Sequence, residues 1–245
     1  MSGMNVLATA GRVLNQLSHD HRTVALILFV PCILLIILRY VFDAQQLLFN
    51  HLAPMILGIF PLIIMFIVTS IVTLRERRSG TLDRLMTMPI SKFDLIFGYA
   101  LAFTLLAVVQ ALLAAAVVLG LLDVPVLGST IAILVSAIAA GFLGTTLGLF
   151  VSAFASSEFQ AVQFMPAFIF PQLLTCGLFT ARDQMAGWLQ WFANVMPLTY
   201  SVDAMKQVTL YTHWTSDLTR DLSIVAGCGF AALILGALTI RRQLP

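Results

Sequence analysis

The side chains able to do chemistry in this 245-residue chain are few and poorly placed for it. The four histidines are His19, His21, His51 and His213, and all lie at or beyond the ends of apolar runs. Ser18-His19-Asp20-His21 is the densest polar group, with two imidazoles and a carboxylate that could approach a metal. It sits in the polar lead to the first apolar run, an ordinary position for such residues. No His-Glu-x-x-His pair offers a zinc site on a helix face, and no Gly-x-Ser-x-Gly elbow presents a serine. An intramembrane hydrolase would lack a base at depth. Cys32, Cys176 and Cys228 each stand inside an apolar run, a pattern for packing rather than for a disulfide framework or a zinc site. The two lysines, Lys92 and Lys206, close no Gly-x-x-x-x-Gly-Lys-Ser/Thr loop, so no nucleotide site is expected. No catalytic residue, metal or cofactor is assigned to this chain.

The elements that would position any site are apolar helices. Hydrophobic residues make up 60% of the chain and charged residues 10%. A soluble fold has ~25% charged residues to cover its surface, so much of this surface must face lipid. Crossing ~30 Å of hydrocarbon takes about 20 apolar residues in a helix. Six stretches meet or approach that length: 23–42, 52–74, 95–122, 126–154, 160–180 and 222–240. A turn at Asp123, Val124 and Pro125 separates the third from the fourth. The sequence therefore predicts an all-α integral membrane protein of six transmembrane helices in one domain, 1–245.

Lys and Arg near span ends set orientation. One side receives Arg12, Arg22, Arg75, Arg77, Arg78, Arg84, Lys92, Arg241 and Arg242, nine residues, against four on the other, Arg39, Arg182, Lys206 and Arg220. This places both termini and the 75–94 loop in the cytoplasm. The spans hold almost no acid, which argues against a proton or sodium relay.

The 75–94 loop carries the most local signal. Gly80 supplies a turn after Arg75-Glu76-Arg77-Arg78. Leu82, Leu85, Met86 and Pro89 then recur at helical spacing, opposite Asp83 and Arg84. Ser91 and Asp94 fit a capping box, with Ile90 and Leu95 as its staple. The spacing predicts a helix–corner–helix, equally compatible with a basic loop lying on lipid.

The run from Leu74 to Leu85, Leu-Arg-Glu-Arg-Arg-Ser-Gly-Thr-Leu-Asp-Arg-Leu, resembles the cytoplasmic loop of type-2 ABC exporter permeases. Asp20-His21-Arg22-Thr23 before a span with Pro31, and the late Asn194 to Tyr200 stretch, resemble other parts of that family. Val195 and Met196 depart from the family's Asn-Pro-Leu-Thr-Tyr element. The resemblance implies a drug, antibiotic or lipid export permease in a bacterial-type plasma membrane. It implies that the loop helix couples to a separate ABC ATPase through Glu76, Gly80, Thr81 and Leu82 by motif position, with Leu85 and Met86 added by amphipathic spacing. ATP and Mg would then sit on that partner. A second permease half, identical or homologous, is implied as well; the other partners expected are membrane lipid and a small amphipathic substrate, with no nucleic acid.

The fourth stretch repeats small residues at Ala140, Gly144, Gly148 and Ser152, a surface for close helix approach. A possible substrate path runs over Met65 and Thr69 of the second stretch and Met165, Phe168, Gln172 and Thr175 of the fifth; ordinary packing accounts for the same residues equally well. The segment 1–22 is expected as a cytoplasmic amphipathic lead. The segment 181–221 is expected on the outer side as short helices, with Trp188, Leu189, Trp191 and Phe192 at the interface. A secondary carrier independent of ATP, and a non-transporting anchor or intramembrane enzyme, are the alternative functions.

Overall fold

The structure, a computed structural model, describes residues 3–81, 85 and 90–239, and no strand occurs among them. The main helices are α1 (Gly3–His19), α2 (His21–Val41), α3 (Gln46–Arg78), α4 (Lys92–Ala116), α5 (Thr130–Ser152), α6 (Glu158–Thr175), α7 (Gly187–Val195), α8 (Pro197–Leu210) and α9 (Ser216–Thr239). Short polar residues start several of them, as backbone chemistry requires. Asp20 caps α2, Ser91 caps α4, Ser129 caps α5 and Ser157 caps α6, each accepting from a backbone N–H three residues on. Ser91 thus plays its predicted part. Pro197 opens α8, where its missing N–H costs nothing.

Among the described residues, five helices are long and apolar enough to cross a membrane: α2, α3, α4 with its following π-turn to Leu121, α5 and α9. The Asp123 turn is present, with Asp123 in the left-handed region at φ 48°. The fifth predicted stretch is shorter than expected. Its helix, α6, stops at Thr175 rather than near Thr180, and Gly177 (φ 85°) turns the chain away. Three glutamines and two prolines in α6 dilute its apolar character, which leaves it outside those five.

The bundle is organised around α3, which packs on α2, α4, α5, α6 and α8. Its closest neighbour is α5, and the small-residue stripe explains why. A Cβ added at Gly144 would stand 2.1 Å from the Leu62 carbonyl oxygen, and one at Gly148 would stand 2.6 Å from that of Phe66. On an adjacent face, a Cβ at Gly141 would meet Ala107 of α4 at 2.7 Å. The stripe is a packing seam, and side chains there would force backbones apart. The helix α1 turns Thr9, Ala10, Val13 and Leu17 inward onto α4, with Thr9 seated over Gly98. The face holding Val13 and Leu17 is therefore committed to protein, while Met4 and Leu7 of the same helix stay exposed.

Substituting Gly144 by Val should abolish recovery of monodisperse protein from mild detergent. Gly227→Ala, where an added Cβ meets nothing within 4 Å, should stay within about 0.5 kcal/mol of the parent or gain slightly. Size-exclusion profiles and thermal melts of the two variants check this contrast.

Candidate coupling site

The last turns of α3 emerge from the apolar bundle as Arg75, Glu76, Arg77 and Arg78. Successive helical residues point about 100° apart, so these side chains reach different neighbours. Glu76 turns inward and is 4% exposed. Arg12 of α1 donates to its two carboxylate oxygens at 3.3 and 3.0 Å. The Tyr99 hydroxyl of α4, itself fully buried, accepts from Arg12 at 2.6 Å and donates to Glu76. The Arg12 guanidinium also lies 5.5 Å from the centre of the Tyr99 ring, within cation–π range. Three helices meet on one carboxylate.

The flanking arginines hold the other two helices at this end. Arg77 donates to the Ala153 carbonyl at 2.8 Å and also to that of Ala155, just beyond α5. These are carbonyls that a helix C-terminus leaves without intrahelical donors. Arg75 forms a two-pronged pair with Glu158, the first residue of α6, at 2.8 and 2.9 Å. The end of α3 therefore touches α1, α4, the chain leaving α5 and the start of α6. This is called the basic end below.

The helix closes at Ser79, and Gly80 takes φ 72°, a left-handed turn that a Cβ would strain. The Thr81 and Ser79 hydroxyls lie 2.9 Å apart. Leu85 packs on the core cluster that holds Tyr99 and Leu95. Leu82 and Met86, also expected at the coupling surface, lie outside the described residues. Arg12 enters the sequence argument only as an orientation charge, Arg75 and Arg77 only as orientation charges and members of the Leu74–Leu85 run, and Tyr99 and Glu158 belong to no motif there. A single acid among three arginines, Arg75, Arg77 and Arg78, is the one sequence signal that Glu76 has partners.

The expected path residues are scattered. Met65 is fully buried in the cluster with Tyr99 and Phe103, and Thr69 is fully buried against Gly148. Gln172 turns inward: its amide nitrogen donates to the Phe168 carbonyl at 2.8 Å, and its oxygen accepts from the Leu198 N–H at the start of α8 at 3.3 Å. Thr175 donates to the Pro171 carbonyl at 2.8 Å. Met165 is half-buried and Phe168 exposed. Only part of this set opens outward.

At the other end, Ser201 of α8 donates to the Gly58 carbonyl of α3 at 3.2 Å. Arg182 bonds Asp203 at 2.5 Å and Asn194 at 3.2 Å, while Tyr200 donates to the Asn194 carbonyl at 2.6 Å. The late Asn194 to Tyr200 element is thus the folded corner between α7 and α8.

Residues 5–210 match the ABC-2 type transporter family. The chain belongs to that family. Among curated relatives of this ABC-2 type chain, a probable multidrug ABC transporter permease, YbhR, of Escherichia coli K12 is 28% identical over 157 residues, 64% of this chain and 43% of that protein. ABC transporter G family member 20 of Dictyostelium discoideum is 27% identical over 143 residues, 58% of this chain and 20% of that protein. The chain thus spans less than half the length of these relatives. All-helical architecture with apolar spans fits the ABC-2 type assignment.

Hydrogen bonds to charged groups contribute about 1.5–3 kcal/mol. Arg12→Gln and Glu76→Gln should therefore show coupling of at least ~1 kcal/mol in a double-mutant cycle of thermal stability. Arg12→Gln should also raise hydrogen exchange across residues 3–19. Additive effects with unchanged exchange would show that the contact does not anchor α1.

Proposed function

We propose that this chain is the membrane subunit of an ATP-driven exporter. A separate ABC ATPase docks at the 75–94 loop on the cytoplasmic side, and a second permease half, identical or homologous, completes the pathway. In this reading α6 is the sixth span: its 18 residues reach ~27 Å at 1.5 Å per residue, close to the hydrocarbon thickness. The pair α7 and α8 folds back into the outer leaflet beside α3. Both termini lie in the cytoplasm, as the excess of basic residues on that side favours.

The observation that carries the proposal is the convergence of helices on Arg75, Glu76 and Arg77. A push on the loop reaches α3 and α4 together through Glu76 and Tyr99. The α5 and α6 ends follow through Arg77 and Arg75, and α1 braces the corner through Arg12. The ATPase, with its ATP and Mg, supplies the energy, and the permease converts loop displacement into helix tilt. The relatives' multidrug name supports an amphipathic organic cargo. Met165 and Phe168, on the open side of α6, are the path residues best placed to meet it. A surface of aromatic and thioether groups suits such a molecule.

In proteoliposomes of the chain with its co-purifying ATPase, Glu76→Ala should leave ATP hydrolysis within about twofold and cut transport per ATP by tenfold or more, an effect of ~1.4 kcal/mol on the coupled step. Normal transport with normal substrate-stimulated hydrolysis would overturn the coupling role. Tyr99→Phe, which keeps the ring and removes the hydroxyl, provides a milder variant if Glu76→Ala fails to assemble.

A further inference from the structure

The basic end of the bundle has an unfilled feature of a different kind. Between α2 and α3 runs an open cleft of about 380 Å³. Its walls are apolar from Leu26 to Val30 on α2 and from Ile64 to Val72 on α3. Its polar residues, Thr23 and Arg75, both lie at the basic end. From Ile64 to Arg75 the helix rises ~16 Å, about half of the ~30 Å hydrocarbon core. The cleft is therefore one leaflet deep, with a cation where headgroups lie.

Size limits what can occupy it. A helix ~10 Å across and ~16 Å long displaces on the order of 1,300 Å³, several times the cleft, so a neighbouring helix could seat only its side chains there. A single acyl chain is a slender apolar rod of the right kind. Charge limits the occupant further. The Arg75 side chain is 57% exposed and gives its Nε and one Nη2 hydrogen to Glu158. A guanidinium has five N–H donors, so others remain for an anion. Asp20 is held below the ordinary carboxylate value first by its bonds from Thr23, and then by Arg75 and Arg22. Arg22 and Arg75 thus stand near Asp20 at the basic end, and Arg75 keeps donors that Glu158 does not take.

We propose that this cleft binds a resident anionic phospholipid of the leaflet at the basic end. One acyl chain lies between α2 and α3, and the phosphate rests on Arg75 and Arg22. The site is independent of the proposed coupling and export, since it depends only on α2 and α3 standing in a membrane. The lipid completes the α2 packing that protein leaves open: α2 is the least enclosed of the five spans, with 22% of its apolar core buried. A lipid that joins α2 to α3 fixes the angle between them, so membrane composition would set the stiffness of the span pair.

The test uses the full chain in nanodiscs of phosphatidylcholine with a minority of phosphatidylglycerol. A trace of photoactivatable phosphatidylglycerol carries a diazirine on its acyl chain. Labelling should concentrate on 26–30 and 64–72 above the outward face of α9, and unlabelled phosphatidylglycerol should compete better than phosphatidylcholine. One basic residue near an anionic surface is worth about a fivefold effect, so Arg75→Gln should lower cleft labelling about fivefold. Arg75→Lys should retain most of it. Glu158→Gln, which breaks the same ion pair but leaves the cation, should keep or raise it. Labelling no higher than on α9, equal competition by both lipids, or equal losses in Arg75→Gln and Glu158→Gln would each overturn the proposal. Chain-to-chain disulfides at Val30→Cys would assign the cleft to a second copy and overturn it too.

Discussion

A carboxylate removed from water must find cations and donors nearby, and much of the basic end is arranged around meeting that demand for Glu76. Its position is set by α3, a 33-residue helix of ~50 Å that outruns the hydrocarbon core. The partners come from elements far apart in sequence: Arg12 precedes every span, and Tyr99 lies beyond the loop. For Arg12 to arrive, α1 must lie flat on α4, which the Thr9–Gly98 contact permits. For Tyr99 to arrive, the chain must turn at Gly80 and restart at Ser91. The charge thus constrains the α1 face, the loop geometry and the register of α4 together.

The neighbouring arginines extend the same logic to unpaired backbone. The Ala153 and Ala155 carbonyls at the end of α5 would otherwise face the membrane boundary without donors. Arg77 supplies them from α3. At the other end Gln172 does the reverse, accepting from the Leu198 N–H in the first turn of α8. Long polar side chains therefore serve as backbone caps between helices at both ends of the bundle.

Much of the fold was legible because membrane helices announce themselves by length and hydropathy. The α2, α3, α4, α5 and α9 segments follow the predicted runs, and the small-residue stripe of α5 was correctly read as a packing surface. The end of α6 was not legible, because apolar residues continue to Phe179 and only the backbone at Gly177 marks the break. Within the site, Glu76 was singled out from its neighbours, yet Tyr99 was hidden inside an apolar run where aromatic residues are ordinary. Periodicity also placed Met165, Phe168, Gln172 and Thr175 on one face. It could not tell that the N-terminus of α8 would draw Gln172 inward, since that partner lies outside the helix whose period was counted.

Helices α2 and α3 also carry prolines, but Pro31, Pro54 and Pro61 are buried, whereas Pro166 and Pro171 of α6 are exposed. Pro166 and Pro171 have no N–H, so the carbonyls of Val162 and Ala167, one turn earlier, lose their usual donors. Unsatisfied backbone in hydrocarbon costs several kcal/mol per group. Gln163, next in sequence to Val162, is exposed and is one of three glutamines on this helix. Hydration is the natural remedy: α6 is the strip of this bundle along which water can penetrate most readily, a wet line drawn through an otherwise oily surface.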